Sequence, residues 1–206
     1  MRYQRYCLLI GLLTALALTG CTSGNKPSTA AYQTVAKDPH RDTELALKEN
    51  NSALELILRN KYDDAEPILK RSLEADIMYA PAHNNLGKVY YQQGKMYLAA
   101  WEFQYAADLL PNQPEPRNNL GLVFEATGKL DQAIAAYEKA VTLAPDDAPI
   151  IGNLARAHVR HGDCDDQTRQ LLAKLVARDT RPEWLTWARE NLARLGPPPT
   201  TKPHEQ

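Results

Sequence analysis

Apolar and small residues recur along the middle of the chain with a period of 34 residues. The stretch HNNLGKVYYQQGK begins at His83, and RNNLGLVFEATGK begins at Arg117. Within each period the apolar positions have the spacing of two helices that pack on each other as a hairpin. Seven positions agree in type between the two copies: Leu86, Gly87, Tyr90, Ala99, Phe103, Ala106 and Pro111, then Leu120, Gly121, Phe124, Ala133, Tyr137, Ala140 and Pro145.

The frame extends in both directions and predicts four repeats, at 46–79, 80–113, 114–147 and 148–181. Gly94 and Gly128 are predicted to end the first helix of their repeats, and Pro67 is predicted to lie in the first turn of a second helix. The outer repeats match less well, with Ser52 in the leucine slot and His158 in the aromatic slot. Weaker outer repeats are expected because each has a single neighbour to pack against.

A further amphipathic helix is predicted at 182–196, after the last repeat. Trp184, Leu185, Ala188 and Leu192 mark its apolar face, and Pro182 suits its first turn. Such a helix covers the exposed edge of the last hairpin, as a helical array needs for solubility. The proline-rich tail at 197–206 cannot continue the helix and is predicted to be disordered.

These spacings resemble those of the tetratricopeptide repeat (TPR) family across residues 46–181. The resemblance implies an all-α solenoid of about four helical hairpins with a C-terminal capping helix. It further implies a scaffold that binds protein partners through a concave groove and that is not an enzyme. In this family the first helix of each repeat lines that groove.

Asparagines stand at two groove positions in the repeat frame. The sixth position of the four repeats reads Asn51, Asn85, Asn119 and Asn153, and the fifth reads Asn50, Asn84, Asn118 and Gly152. Some TPR superhelices carry an asparagine ladder here that binds the backbone of an extended peptide, because an amide offers both a donor and an acceptor. The alternative is a structural role, in which the amides bond within or between hairpins.

Other inward positions describe a polar groove with one aromatic residue, basic toward its C-terminal end. Lys88, Tyr91 and Arg156 complete the candidate peptide-binding set, beside Gln92, Glu125 and Arg160. The ninth position reads Leu54, Lys88, Leu122 and Arg156, which lacks the lysines of TPR clamps for a C-terminal carboxylate. We therefore expect a protein partner held in the groove, without a small-molecule substrate.

The first 20 residues predict an export signal, with Arg2 and Arg5 before an apolar run from Cys7 to Leu18. A short retained membrane anchor is the alternative. The run ends in Leu-Thr-Gly-Cys, which resembles the bacterial lipobox and implies that Cys21 is lipidated. Residues 21–45 then form a flexible tether to a membrane. Thr22 in place of Asp implies the periplasmic side of the outer membrane in a Gram-negative host.

Charge and cysteine usage exclude several other classes of function. Twenty-four basic and 25 acidic residues leave a net charge of -1, so we expect no nucleic acid partner. Cys7 leaves with the signal and Cys21 is lipidated, so Cys164 has no disulfide partner. No catalytic motif or cofactor site is present.

One cluster, HVRHGDCDD at 158–166, could bind zinc through His158, His161 and Cys164. The repeat frame favours another interpretation, in which Cys164 makes an apolar contact at the start of a second helix and Asp163 caps that helix. We therefore expect no metal site.

The sequence as a whole predicts a lipid-anchored TPR adaptor of the bacterial envelope. Similar architecture occurs in pilotin-like lipoproteins and in type IV pilus or tight-adherence assembly, so pilus or secretion-system assembly is favoured. An adaptor for cell-wall hydrolases is the alternative, and a metal-dependent envelope enzyme component is less favoured.

Overall fold

The computed structural model describes residues 41–196, and these residues form nine α-helices and no strand. The predicted all-α class is therefore confirmed. The helices are α1 Thr43–Leu58, α2 Tyr62–Ala75, α3 Ala80–Gln92, α4 Met96–Leu109, α5 Pro114–Ala126, α6 Leu130–Leu143, α7 Ala148–His161, α8 Asp166–Arg178 and α9 Pro182–Leu195.

The first eight helices pair in chain order as four hairpins, and α9 packs against α8. The first helices of neighbouring repeats (α1, α3, α5 and α7) contact each other more closely than the second helices do. This difference curves the array and places the first helices on its concave side. The candidate groove residues of α3, α5 and α7 therefore lie on the inner surface.

Two glycines allow the helices of the central hairpins to approach closely. A Cβ atom at Gly121 would lie 2.5 Å from Cε1 of Tyr137, and one at Gly87 would lie 2.7 Å from Cδ1 of Phe103. Both rings are buried in the core and have no space into which to move. The recurring pairing of a glycine with an aromatic residue is therefore what sets the hairpin distance.

Each first helix ends at a residue in the left-handed backbone region. Gly94 and Gly128 have φ of +74°, and Gly162 has φ of +96°. Asn60 takes the same place in the first repeat with φ of 58°, a conformation that asparagine tolerates better than most residues. The turn is thus the same in all four repeats, although only three of them use glycine.

Three local expectations were wrong. The last second helix begins at Asp166, because Asp165 accepts a hydrogen bond from the Thr168 N–H at 2.8 Å and caps it. Asp163 is therefore not the cap, and Cys164, which was expected at the start of this helix, is exposed and precedes it. Pro67 lies inside α2, beyond its first turn.

The first helix also begins earlier than the predicted repeat. Asp42 accepts a hydrogen bond from the Leu45 N–H at 2.9 Å, so α1 starts at Thr43 and residues 43–45 are helical instead of tether. The predicted signal peptide, Cys21, most of the tether and the tail at 197–206 lie outside the described residues. Between residues 41 and 196, none of the helices combines the length and the apolarity that crossing a membrane requires.

Candidate functional site

The paired asparagines bond to each other between neighbouring hairpins. Asn85 Nδ2 donates to Asn50 Oδ1, and both residues are buried. The same contact recurs one and two repeats later, and each of the three bonds is 2.9 Å long: Asn85 to Asn50, Asn119 to Asn84, and Asn153 to Asn118. The sixth position of one repeat thus donates to the fifth position of the repeat before it. We refer to this series as the asparagine ladder.

The ladder ends differently at its two limits. Asn51 occupies the sixth position of the first repeat but is exposed, because no repeat precedes it among the described residues. Gly152 occupies the fifth position of the last repeat, and a Cβ there would lie 3.0 Å from Cζ3 of Trp184. At this end, therefore, Trp184 of α9 packs where the ladder would otherwise continue to the asparagine of a further repeat.

The ladder leaves part of its hydrogen-bonding capacity free for a ligand. An amide carries two N–H donors and an oxygen with two lone pairs, and each ladder bond uses one donor and one lone pair. Asn84, Asn118, Asn119 and Asn153 are partly exposed. The bonds seen between repeats are therefore those of the structural role. Contact between these asparagines and a peptide in the C-terminal part of the groove stays a prediction.

Glu125 organises the C-terminal part of the groove. Its buried carboxylate accepts hydrogen bonds from Arg156 Nε and Nη2, Arg160 Nη1 and the Tyr137 hydroxyl, each 2.8 Å long. Burial alone would raise the pKa of Glu125, but these donors outweigh burial and lower the pKa to about 2. The carboxylate is therefore charged at neutral pH and holds both arginines in place. The repeat frame predicts Glu125 at a groove position, but it does not predict this role.

Arg156 joins two neighbouring cavities. One, of about 230 Å³, is lined by Tyr91, Leu122, Glu125, Ala126, Arg156 and Arg160. The other, of about 210 Å³, is lined by Arg156, Glu183, Trp184 and Trp187. The predicted residues Tyr91 and Arg156 thus lie together. The two tryptophans were assigned only to the cap, because the sequence does not show which face of α9 borders the groove.

The tryptophans form a firm wall beside the arginine. The Arg156 guanidinium lies 5.2 Å from the centroid of the Trp184 ring, and Arg181 lies 4.8 Å from the same ring. Trp187 packs edge-on against Trp184, with ring centroids 5.6 Å apart. Cation–π contacts and edge-to-face packing hold the rings in one orientation.

Lys88 lies apart from this cluster, in the N-terminal part of the groove. It is partly buried, and burial lowers the pKa of its ammonium, while the charge of Glu115 acts in the opposite direction. Of the three predicted residues Lys88, Tyr91 and Arg156, the last two line the cavities and Lys88 does not.

The histidines of the possible zinc cluster are bonded to one carboxylate. Nδ1 of His158 lies 2.6 Å from Asp163 Oδ2, and Nδ1 of His161 lies 2.7 Å from Asp163 Oδ1. Cys164 is exposed, with its Sγ 3.5 Å from the Gly162 carbonyl oxygen. In residues 41–196, no group of three or more His, Cys, Asp or Glu residues is arranged to hold a metal ion.

Comparison with known proteins places this arrangement among tetratricopeptide repeats. Two tetratricopeptide repeat family profiles match, one over residues 51–114 and one over residues 114–147. A comparison with curated protein sequences found no match.

Two solved structures share the architecture. The first TPR of Spaghetti (RPAP3), bound to HSP90 peptide SRMEEVD, is 21% identical with a TM-score of 0.58, over 61% of this chain and 99% of that one. The MamA protein is 22% identical with a TM-score of 0.59, over 65% of this chain and 72% of that one. At such identities the likeness concerns the fold alone. The chain thus carries tetratricopeptide repeats, and its described part is a TPR solenoid of the kind that serves protein–protein interaction.

Proposed function

We propose that this chain is a non-catalytic adaptor that holds an extended segment of a partner protein in the C-terminal half of its concave groove. The observation that carries this proposal is the pair of cavities that meet at Arg156, one beside Tyr91 and the other beside Trp187. A rigid aromatic wall next to oriented arginines is the composition of energetic hot spots in protein interfaces.

The chemistry of the groove indicates what kind of segment fits. Arg156 and Arg160 share one carboxylate, so the cluster keeps one net positive charge. It favours a carboxylate side chain or a main-chain carbonyl oxygen from the partner. An apolar side chain beside that group would rest against the tryptophans.

The asparagine ladder supplies contacts that do not depend on the partner's sequence. First helices of neighbouring repeats lie roughly 10 Å apart, close to three residues of extended chain at about 3.3 Å each. The spare amide groups of Asn119 and Asn153, which occupy the same position in neighbouring repeats, would therefore meet peptide units of the partner about three residues apart. The Spaghetti domain, which holds a peptide, shares the fold with this chain. The ninth positions of this chain favour an internal segment over a C-terminal carboxylate.

We further propose that lipid on Cys21 holds the adaptor at the periplasmic face of a bacterial envelope membrane. Support comes from the apolar run that ends at Leu18 and from the Leu-Thr-Gly-Cys sequence that closes it. Within the envelope, pilus or secretion-system assembly is favoured, and an adaptor for cell-wall hydrolases is the alternative. A metal-dependent enzyme component has the least support, since Asp163 already engages His158 and His161.

The groove is tested by replacing side chains that are not part of the Glu125 cluster. Tyr91→Ala and Trp187→Ala remove groove contacts, and Tyr97→Ala, on the outer helix α4, is the matched control because Tyr97 is 79% exposed. Crosslinking in intact envelopes, with the captured partner quantified by mass spectrometry, should fall at least about tenfold for each groove variant and remain unchanged for the control. Thermal unfolding of each variant shows whether the solenoid is intact. Full capture by both groove variants contradicts the proposal.

The anchor is tested by Cys21→Ser. The expected result is release of the chain from the membrane fraction, because the three acyl chains that hold it are lost. If the processed chain stays in the membrane fraction, the lipid proposal is wrong, whatever the groove binds.

A further inference from the structure

A row of four residues on α1 faces away from the rest of the solenoid. Leu47, Asn51, Leu54 and Leu58 occupy positions 2, 6, 9 and 13 of the first repeat, and we name them the N-terminal stripe. All four are exposed, with the leucines at 46%, 38% and 76%. Three exposed leucines in one row on a single helix need an explanation.

The same positions in later repeats reach back to the preceding repeat. At position 6, Asn85, Asn119 and Asn153 donate to the preceding asparagine of the ladder. At positions 9 and 13 of the last repeat, Arg156 and Arg160 bond to Glu125 of the repeat before. The N-terminal stripe therefore faces the space that a preceding hairpin would fill.

This outermost row is also the most apolar of the four. The corresponding residues are Pro81, Asn85, Lys88 and Gln92 in the second repeat, Glu115, Asn119, Leu122 and Ala126 in the third, and Pro149, Asn153, Arg156 and Arg160 in the last. A terminal repeat that faces water is expected to carry the more polar outer surface. The reverse pattern indicates a surface that is built for contact.

The spacing within the stripe identifies the occupant as another helix. Steps of four, three and four residues from Leu47 to Leu58 are those of a heptad seam, with leucines around a single asparagine.

The stripe is complementary to itself. A two-fold axis that crosses it between Asn51 and Leu54 sets Leu47 of one copy against Leu58 of the other, and Asn51 against Leu54. The flanking residues Lys48 and Glu55 are exposed, and neither makes an ion pair within residues 41–196. In the antiparallel pair, Lys48 of each copy lies beside Glu55 of the other.

We propose that two copies of this chain pair through the N-terminal stripe, with their α1 helices antiparallel. The stripe shares no residue with the two cavities that meet at Arg156, so the pairing does not depend on the proposed function. It would present two grooves in one particle, so that a partner with two suitable segments gains avidity without any new contact.

The test measures the mass of the full chain, purified in detergent, by sedimentation equilibrium. The wild type is expected to be dimeric, and Leu54→Glu should weaken the dimer at least about 30-fold, because it places a charge in the seam of each copy. Leu45→Glu is the matched control, since Leu45 lies on the same helix, is 42% exposed and stands outside the stripe. It should leave the dimer intact.

Charge reversal separates self-pairing from a general loss of folding. Lys48→Glu alone and Glu55→Lys alone each place like charges across the proposed contact and should weaken the dimer about tenfold. Mixing the two variants, carrying different tags, should restore a dimer that contains one copy of each. A monomeric wild type, an equal effect of Leu45→Glu, or no recovery on mixing would overturn the proposal. A crosslink from position 54 to residues 22–40 of the same chain would also overturn it, by identifying that segment as the occupant.

Discussion

The two ends of the solenoid differ in what covers the surface on which a further repeat would stack. At the C-terminal end, Gly152 replaces the ladder asparagine and Trp184 of α9 packs where its side chain would be. The outer face of α9 carries exposed Arg189, Glu190 and Arg194. At the N-terminal end the ladder residue Asn51 is retained and is surrounded by exposed leucines. Within residues 41–196, α9 closes the C-terminal end of the array, whereas the N-terminal end is open, with the leucines of the stripe exposed.

The largest effect on stability is expected at Glu125. Its carboxylate binds Arg156 and Arg160 of the last repeat, which occupy the positions that Leu54 and Leu58 occupy in the first. The pKa of Glu125 is lowered from 4.5 to about 2 in the folded chain, so its ionised form is stabilised by folding. That contribution is complete above about pH 4.5 and is lost as the pH falls toward 2. Relative to Glu125→Gln, the free energy of unfolding of the wild type should fall by up to about 3 kcal/mol over this range.

Urea unfolding at several pH values measures this difference. Glu66 also has a pKa lowered to about 2, through Lys70 and Lys95, but it is present in both proteins and cancels from the comparison. Parallel pH profiles for the wild type and Glu125→Gln would show that Arg156 and Arg160 are not coupled to the Glu125 charge.

Restoring the missing ladder residue at the closed end should destabilise it. In Gly152→Asn the new Cβ lies 3.0 Å from the Trp184 ring, which two arginines hold in place. We expect a loss of about 2 kcal/mol from overpacking, although asparagine suits a helix interior better than glycine.

Tryptophan fluorescence during denaturation measures this loss, because Trp184 and Trp187 both lie in α9. Ser52→Asn, on the exposed side of α1, is the control for adding an asparagine and should change the stability by less than about 0.5 kcal/mol. Equal stability of Gly152→Asn and the wild type would mean that Gly152 does not define the closed end.

A smaller effect compares two asparagines at the same repeat position. Asn85→Ala leaves the buried Asn50 oxygen without its donor and should cost about 1 to 2 kcal/mol. Asn51→Ala, at the open end, breaks no ladder bond and should cost less than about 0.5 kcal/mol in the monomer. Thermal unfolding of the two variants side by side makes this comparison, and equal losses would rule out the ladder as a source of stability.

The hairpins could be predicted from the sequence because their determinants are local and recur. The 34-residue period carries the glycine, the aromatic residue and the turn of each hairpin, so the starts of α2, α4 and α6 agree with the frame. The late start of α8 could not be predicted. Whether Asp163 or Asp165 caps the helix depends on the hydrogen bonds that join Asp163 to His158 and His161.

Contacts between repeats were harder to predict than contacts within them. The frame placed Asn51 with Asn85, but the ladder joins Asn85 to Asn50. A period shows which residues are equivalent, whereas the partner of a side chain is set by how one hairpin is displaced along the next. The Glu125 cluster and the tryptophan wall depend on the same displacement. For this reason the groove residues were identified individually and their arrangement was not.

Site-specific photocrosslinking in living cells shows whether the concave groove is the surface that binds the partner. A photoreactive amino acid is placed at Tyr91 in the groove or at Tyr97 on the outer helix α4. We expect that the group at position 91 captures one defined partner protein, and that Arg160→Ala, at the edge of the same cavity, reduces this capture. Capture from position 97 and none from position 91 would contradict this expectation.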